Sequence, residues 1–515
     1  MHRSFAAIAA LLIVGLLISS GCSPSPPAAP ATNQPAAPSP AAKLEREYWN
    51  SLFIQGHRVG YSHTTVRREV EAGSDVLQTD GFARMTLRRG NDQARQDLRI
   101  TAVETPAGRL LHAECEMAMS DHPIRTVGRV VGDRLELEMT GQAAAPVRTA
   151  LPWSSGCGGP FAMEQSLLRK PMQPGERRTL KMLRIELGQI VDAQMDAKEF
   201  ESTSLQSGNR KLLRIESVVH LAGGQKEEET LWTDDAGDVL KTLSPVAGGF
   251  ETQQVSKAEA LKEIEAGGLD LQPSMIVKIK RPLPSAHRTT QVRYRVHLDG
   301  GDPAKVFAVG PSQAVKPLDA HTAEITVYAI RPGATDGNRD AASDPPTEGD
   351  RRPNLWVQSD DPLIVADARK AVGDETDAWR KAVAIEKFVN RDITTKNFVH
   401  VFDSAAEVAR THEGDCTEHA VFLMALARAQ GIPARAAVGL VYVPSEQAFG
   451  YHLWAEVYVA GRWIPVDGTL ALGGIGAGHL KVTDTDLKTT SAQSTAFLPV
   501  AQILGQLSIE VIDAK

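Results

Sequence analysis

The sequence predicts an α+β protein, with one or more N-terminal antiparallel β domains followed by a C-terminal unit in which helices precede strands. Three observations carry this expectation. Between about Lys43 and Lys257 short alternating apolar and polar runs are separated by Gly-containing turns, the pattern of half-buried strands. Beyond Leu355 the apolar spacing changes to that of amphipathic helices and then returns to strand alternation from Leu453 onward. The chain also has 515 residues, too many for a single core, so two or three folded units are expected.

In chain order, residues 1–22 read as an export signal: Arg3 supplies the positive start, the run from Phe5 to Ile18 is apolar, and Ser19-Ser20-Gly21-Cys22 ends it with small residues. The run is short for a membrane span. It resembles a bacterial lipoprotein signal, which implies lipidation at Cys22. Ser19 stands where such signals usually carry leucine, so a plain secretory signal is the other reading. Residues 23–43 are almost entirely Pro, Ala and Ser, a composition that buries too little surface to fold and acts as an extended tether.

Residues 44–257 form the β-rich domain. The segment from Arg129 to Met139 alternates around Gly132-Asp133 as a hairpin, the segments from Leu180 to Ile190 and from Lys211 to Leu221 read as strands, and Ala162 to Lys170 is a short helix. Cys115 and Cys157 both fall here; in an oxidising compartment they are either a disulfide or two separate buried thiols. Residues 258–331 read as a connecting helix followed by a small β domain, and 332–354, rich in Pro, Gly, Asp and Asn, as an exposed loop. The remaining unit is 355–515. It opens with a helix started by Asp361-Pro362 and a second outlined by Trp379, Val383, Ile385, Phe388 and Val389.

The chemistry-bearing stretch lies in that unit. In Gly414-Asp415-Cys416-Thr417-Glu418-His419 the Gly and Asp read as loop and N-cap, which puts Cys416 in the first turn of a helix running to Gln430. Unpaired backbone N–H groups and the positive end of the helix dipole favour a thiolate there. His452 opens the alternating run from Leu453 to Val459, and Asp467 ends the next run, Arg462 to Val466, after a turn at Gly461. A hairpin between these strands brings His452 and Asp467 side by side. A thiol, a base to accept its proton and a carboxylate to orient that base make a thiol acyl-transfer triad, with Cys416 as nucleophile, His452 as base and Asp467 as orienting group. His400, His412 and His419 compete for the role of base, but only His452 has a carboxylate on a neighbouring strand. The glycine-rich segment from Gly473 to Gly478 reads as a mobile loop beside the site.

Gly-Asp-Cys with Glu418-His419, Gly431-Ile432-Pro433-Ala434-Arg435, the His-x-Trp-x-Glu-x-Tyr run from His452 to Tyr458 and the Gly-x-Trp-x-Pro-x-Asp run from Gly461 to Asp467 together resemble the bacterial transglutaminase-like domain of papain-like fold. The resemblance covers roughly residues 355 to 485. It implies the same three roles for Cys416, His452 and Asp467, and an enzyme that cross-links, deamidates or hydrolyses amide or peptide bonds.

This chemistry requires no cofactor and no metal. A formal net charge of −7 with 42% hydrophobic residues argues against a nucleic-acid binder. The expected partners are a protein or peptide substrate and a membrane held through the lipid anchor, which places the protein at the bacterial cell envelope, in the periplasm or on the outer surface. The rival reading is an envelope-tethered binding or scaffold protein whose transglutaminase-like domain does not turn over. Oligomeric state is left open.

Overall fold

A computed structural model describes residues 43–515 apart from 90–91, 119–122, 142–145, 264–268, 270–275, 332–334, 338–340, 396–401 and 489. The export segment with Cys22, the tether as far as residue 42, and His400 lie outside the described residues. Among the described residues no helix is long and apolar enough to cross a membrane.

Residues 43–255 build one 15-stranded sheet from two meanders. The first runs outward from Lys43–Ile54 to Val147–Pro152, and the second returns from Cys157–Gly158 to Phe250–Val255. They join where Lys43–Ile54 pairs antiparallel with Phe250–Val255, with Leu52 opposite Thr252. Neighbouring strands are antiparallel except Cys157–Gly158, which runs parallel to Arg177–Arg184. Period-two burial explains the shape: Val191, Ala193, Met195 and Ala197 of Gln189–Leu205 are buried while alternate residues are wetter. The segment read as one strand from Leu180 to Ile190 is two, because the chain turns between Arg184 and Gln189. Cys115 and Cys157 are separate buried thiols, not a disulfide.

The boundaries expected near residues 258 and 331 are crossed in both directions. Lys257–Ala260 is a single helical turn. Ile276–Lys278 pairs with Ala448–Val459 and so belongs to the sheet of the C-terminal unit. The C-terminal strand Leu507–Ala514 in turn completes a four-stranded sheet with Gln291–Leu298, Thr322–Tyr328 and Gln313–Pro317. The expected exposed loop 332–354 is partly docked: Asp350 is buried, and the Asp344 carbonyl accepts a 3.0 Å hydrogen bond from the Trp463 indole.

In the C-terminal unit the helix Cys416–Ala429 is central. It packs against Ala434–Val443 and Ala448–Val459 on the sheet side, and against Pro362–Val372, Ala378–Asp392 and Ala405–Thr411 on the other. Every residue from Cys416 to Arg428 is therefore buried. The sheet order places Ala434–Val443 between Ala448–Val459 and His479–Thr485. Along the other edge of Ala448–Val459, Ile276–Lys278 pairs with 448–450 and Arg462–Val466 with 455–459. Residues 451–454, His452 among them, lie between those two partners, and Asp467 follows directly from the second. Buried apolar residues from Leu52 to Val511 form one continuous cluster that joins the large sheet to this unit.

Candidate active site

The first turn of Cys416–Ala429 is fixed by its own side chains. The Asp415 carboxylate caps the helix by accepting from the Thr417 N–H at 2.7 Å, and Glu418 completes a capping box by accepting from the Asp415 N–H at 2.9 Å. The other Glu418 oxygen accepts from the Asp403 N–H at 3.0 Å, which ties the preceding loop to the helix. Burial, with the Asp415 and Asp403 carboxylates next, pushes the Glu418 carboxyl well above its usual range. Gly414, at φ 142°, has no room for a side chain: a Cβ there would lie 2.3 Å from that of Glu418. Cys416 is thus the first helical residue of an end whose backbone is held rigidly.

The hairpin turn at Ala460-Gly461, with φ of 52° and 80°, sets the register that carries Asp467 back to His452. His452 Nε2 lies 2.8 Å from Asp467 Oδ2, and the same imidazole makes a side-chain hydrogen bond with Cys416. Because Nε2 is engaged with the carboxylate, Nδ1 is the nitrogen left for the sulfur. Cys416 is 1%, His452 3% and Asp467 1% exposed. Burial alone would push His452 down, but the fields of Asp467 and Cys416 and its hydrogen bonds to both raise it to about 10. Burial raises Asp467, and His452 and His479 outweigh it, holding the carboxyl well below the usual range. The three residues singled out in the sequence are brought together.

The competing histidines are placed elsewhere. His419 Nδ1 hydrogen-bonds the Asp415 carbonyl within its own helix. His412 ends Ala405–Thr411 with φ 56° and pairs with Asp392 at 2.8 Å.

Two residues not anticipated complete the cluster. His479, on His479–Thr485, sets its Nε2 3.0 Å from the Asp467 Oδ2 that His452 also uses. An ionised carboxylate only accepts, so both imidazoles donate through Nε2. One carboxylate balances one imidazolium, and His479 is accordingly lowered, chiefly by burial. Trp454 lies against both rings, stacked at 6.1 Å from His452 and edge-on at 5.1 Å from His479. Glu386, in the middle of Ala378–Asp392 and fully buried, accepts backbone N–H groups from Asp467 at 3.0 Å, Gly473 at 2.8 Å and Gly474 at 3.3 Å. Burial raises its carboxyl to about 7. The glycine-rich segment therefore borders the site as a fixed element: Gly473 and Gly474 are held by Glu386, and a Cβ on Gly476 would strike the His287 carbonyl carbon at 2.4 Å.

His452, Asp467 and His479 also present three possible metal-ligand atoms within 4.8 Å of one another. Both Nε2 atoms already sit at hydrogen-bond distance from one carboxylate oxygen, so the set is satisfied as a hydrogen-bonded unit.

Residues 366–468 match the Transglutaminase-like superfamily, a span that contains Cys416, His452 and Asp467. No curated protein matches the chain. Among solved structures, a candidate cysteine protease from Cytophaga hutchinsonii is similar at 17% identity over 43% of this chain and 83% of its own, with a TM-score of 0.28. A β-barrel-like protein of unknown function from Brucella abortus is similar at 10% identity over 42% of this chain and 96% of its own, with a TM-score of 0.29. A structure described as a TGase is similar at 14% identity over 50% of this chain and 65% of its own, with a TM-score of 0.18. These scores are too low to carry a functional argument. The sequence match and the residues inside it lead to one conclusion: the mostly β chain contains a transglutaminase-like domain at residues 366–468.

Proposed function

We propose that the protein is a thiol acyl-transfer enzyme acting on amide or peptide bonds, with Cys416 as nucleophile, His452 as base and acid, and Asp467 as orienting carboxylate. The observation that carries this reading is that one buried imidazole joins the Cys416 thiol to an ionised carboxylate 2.8 Å away, at the start of a helix. Members of this superfamily are usually cysteine-dependent acyltransferases or peptidases. His452, raised to about 10, already carries the proton as the Cys416 sulfur attacks the carbonyl carbon. Backbone N–H at the helix start stabilises the oxyanion. His452 then returns the proton to the departing nitrogen, leaving a thioester on Cys416. Water attacking that thioester completes deamidation or hydrolysis, and a lysine-type amine completes a cross-link, with His452 taking the nucleophile's proton in either case. The export signal read in residues 1–22, with its resemblance to a lipoprotein signal, supports a place for this activity at the cell envelope.

One observation favours the rival, a tethered binding protein without turnover: Cys416 is 1% exposed. The deciding experiment is incubation of the full chain with glutamine-bearing peptides, with and without a primary amine, followed by mass spectrometry. Acid, cleaved or amine-linked product, absent in Cys416→Ala, supports the enzyme. Intact peptide in every arm supports the binding protein.

A further inference from the structure

We propose that a cationic cleft between the large sheet and the C-terminal unit binds an extended acidic peptide. The cleft has a volume of about 1520 Å³, larger than a small-molecule site of ~300–1,000 Å³. Its walls carry Lys278, Lys280, Arg281 and Arg295. Glu510, the one carboxylate among the described lining residues, is paired with Arg295 at 2.9 Å. Lys278, Lys280 and Arg281 are exposed and, among the described residues, form no ion pair. Among the described residues the lining therefore presents three uncompensated cations in a molecule of formal net charge −7.

The backbone points to a peptide rather than another anion. Two lining strands end their sheets: Ile276–Lys278 has Ala448–Val459 as its neighbour, and Leu507–Ala514 has Gln291–Leu298. Each leaves one edge of ladder N–H and C=O groups without a strand partner among the described residues, and such an edge accepts an added extended chain. Strand addition supplies affinity without regard to sequence, and the three cations select for carboxylates. One lining strand pairs with the strand that carries His452. Ile276 is in register with Gly450, and His452 is two residues further along that strand, about 7 Å at the usual strand rise. That the bound peptide is the substrate rests on the acyl-transfer reading above; the binding itself does not.

The test uses the full chain carrying Cys416→Ala, so that no turnover occurs, and fluorescence anisotropy with three labelled peptides of equal length that flank one glutamine with glutamate, serine or lysine. The glutamate peptide is expected to bind about tenfold tighter than the serine peptide at low salt, and the advantage to shrink as salt rises. Lys278→Gln/Lys280→Gln/Arg281→Gln, with an unchanged melting temperature, is expected to abolish the preference. Alternate N-methylation of the glutamate peptide, which removes ladder donors, is expected to weaken binding. Equal affinity for the three peptides, an unaltered preference in the triple variant, or no effect of N-methylation would overturn the proposal. So would tight binding of the cleft to anionic phospholipid vesicles with no binding of the peptide. Slow alkylation of the wild-type Cys416 would remove the enzyme reading and leave these affinities as they are.

Discussion

The Glu386 carboxylate holds the backbone N–H of Asp467 at 3.0 Å from a helix 81 positions away in sequence. That bond fixes where the orienting carboxylate leaves its strand, so the geometry of His452 depends on a residue that touches neither the thiol nor the imidazole. Glu386→Ala is expected to cost about 1–3 kcal/mol for the backbone donors left unpaired, and to lower kcat. The pH dependence distinguishes its carboxyl. With its pKa at about 7 in the fold against about 4.5 unfolded, the native state holds a proton that the unfolded chain has lost. Stability contributed by this group therefore falls as pH rises from about 4.5 to about 7, and Glu386→Gln is expected to remove that slope in denaturant titrations.

His479 shares Asp467 Oδ2 with His452 and lies 5.9 Å from its ring. Replacing it with Phe takes one of two donors from Asp467 Oδ2 and is expected to lower kcat about tenfold with little change in KM, the loss of one charge-assisted hydrogen bond. His479→Gln, which keeps an N–H donor, is expected to recover part of it. Steady-state kinetics on both variants makes the check, and unchanged kcat in the Phe variant would remove His479 from the account.

The His452–Asp467 pair sets two opposite pH limits on stability. His452 is raised to about 10, so its contribution is complete below about pH 6.5 and is lost as pH climbs through about 10. Asp467 is depressed, so its contribution is present above about pH 3.8 and is lost as pH falls through its folded value. Melting temperatures between neutral and strongly alkaline pH should fall for wild type, and should fall less for His452→Gln.

On the same strand Glu456 anchors a buried charged network. It accepts from Arg435 at 2.8 Å and Lys481 at 2.7 Å, and both cations also reach Asp484. The Arg435 guanidinium lies 4.1 Å over the Trp463 ring. Glu456→Ala leaves two largely buried cations short of a partner and is expected to cost about 3–5 kcal/mol, read from the denaturant midpoint. A cost under about 1 kcal/mol would mean that Asp484, with Asp344 on Arg435, satisfies them.

Local signals made the site legible. Asp415 and Glu418 announce the helix start, and Ala460-Gly461 announces the hairpin, and these two features largely decide how Cys416, His452 and Asp467 meet. Glu386 was not legible because it sits mid-helix among Lys381, Lys387 and Arg391, where a carboxylate reads as a solvated face; only the fold turns it inward. His479 follows a glycine-rich stretch whose length hides which strand it joins. The same gap affects the sheets. Alternation marked the stretch from Lys43 to Lys257 as strand-rich, but no local pattern says that Leu52 lies opposite Thr252, or that Leu507–Ala514 returns to Gln291–Leu298.

The central claim is that Cys416 is an activated thiol, and its alkylation rate tests that most directly. Limiting iodoacetamide near pH 6, followed by peptide mass spectrometry, compares Cys416 with the buried Cys115 and Cys157 in wild type, His452→Ala and Asp467→Ala. Fast labelling confined to Cys416, slowed about a hundredfold without His452 and less without Asp467, is the expected result. Labelling of Cys416 no faster than that of Cys115 or Cys157, or a rate unchanged by His452→Ala, would contradict it.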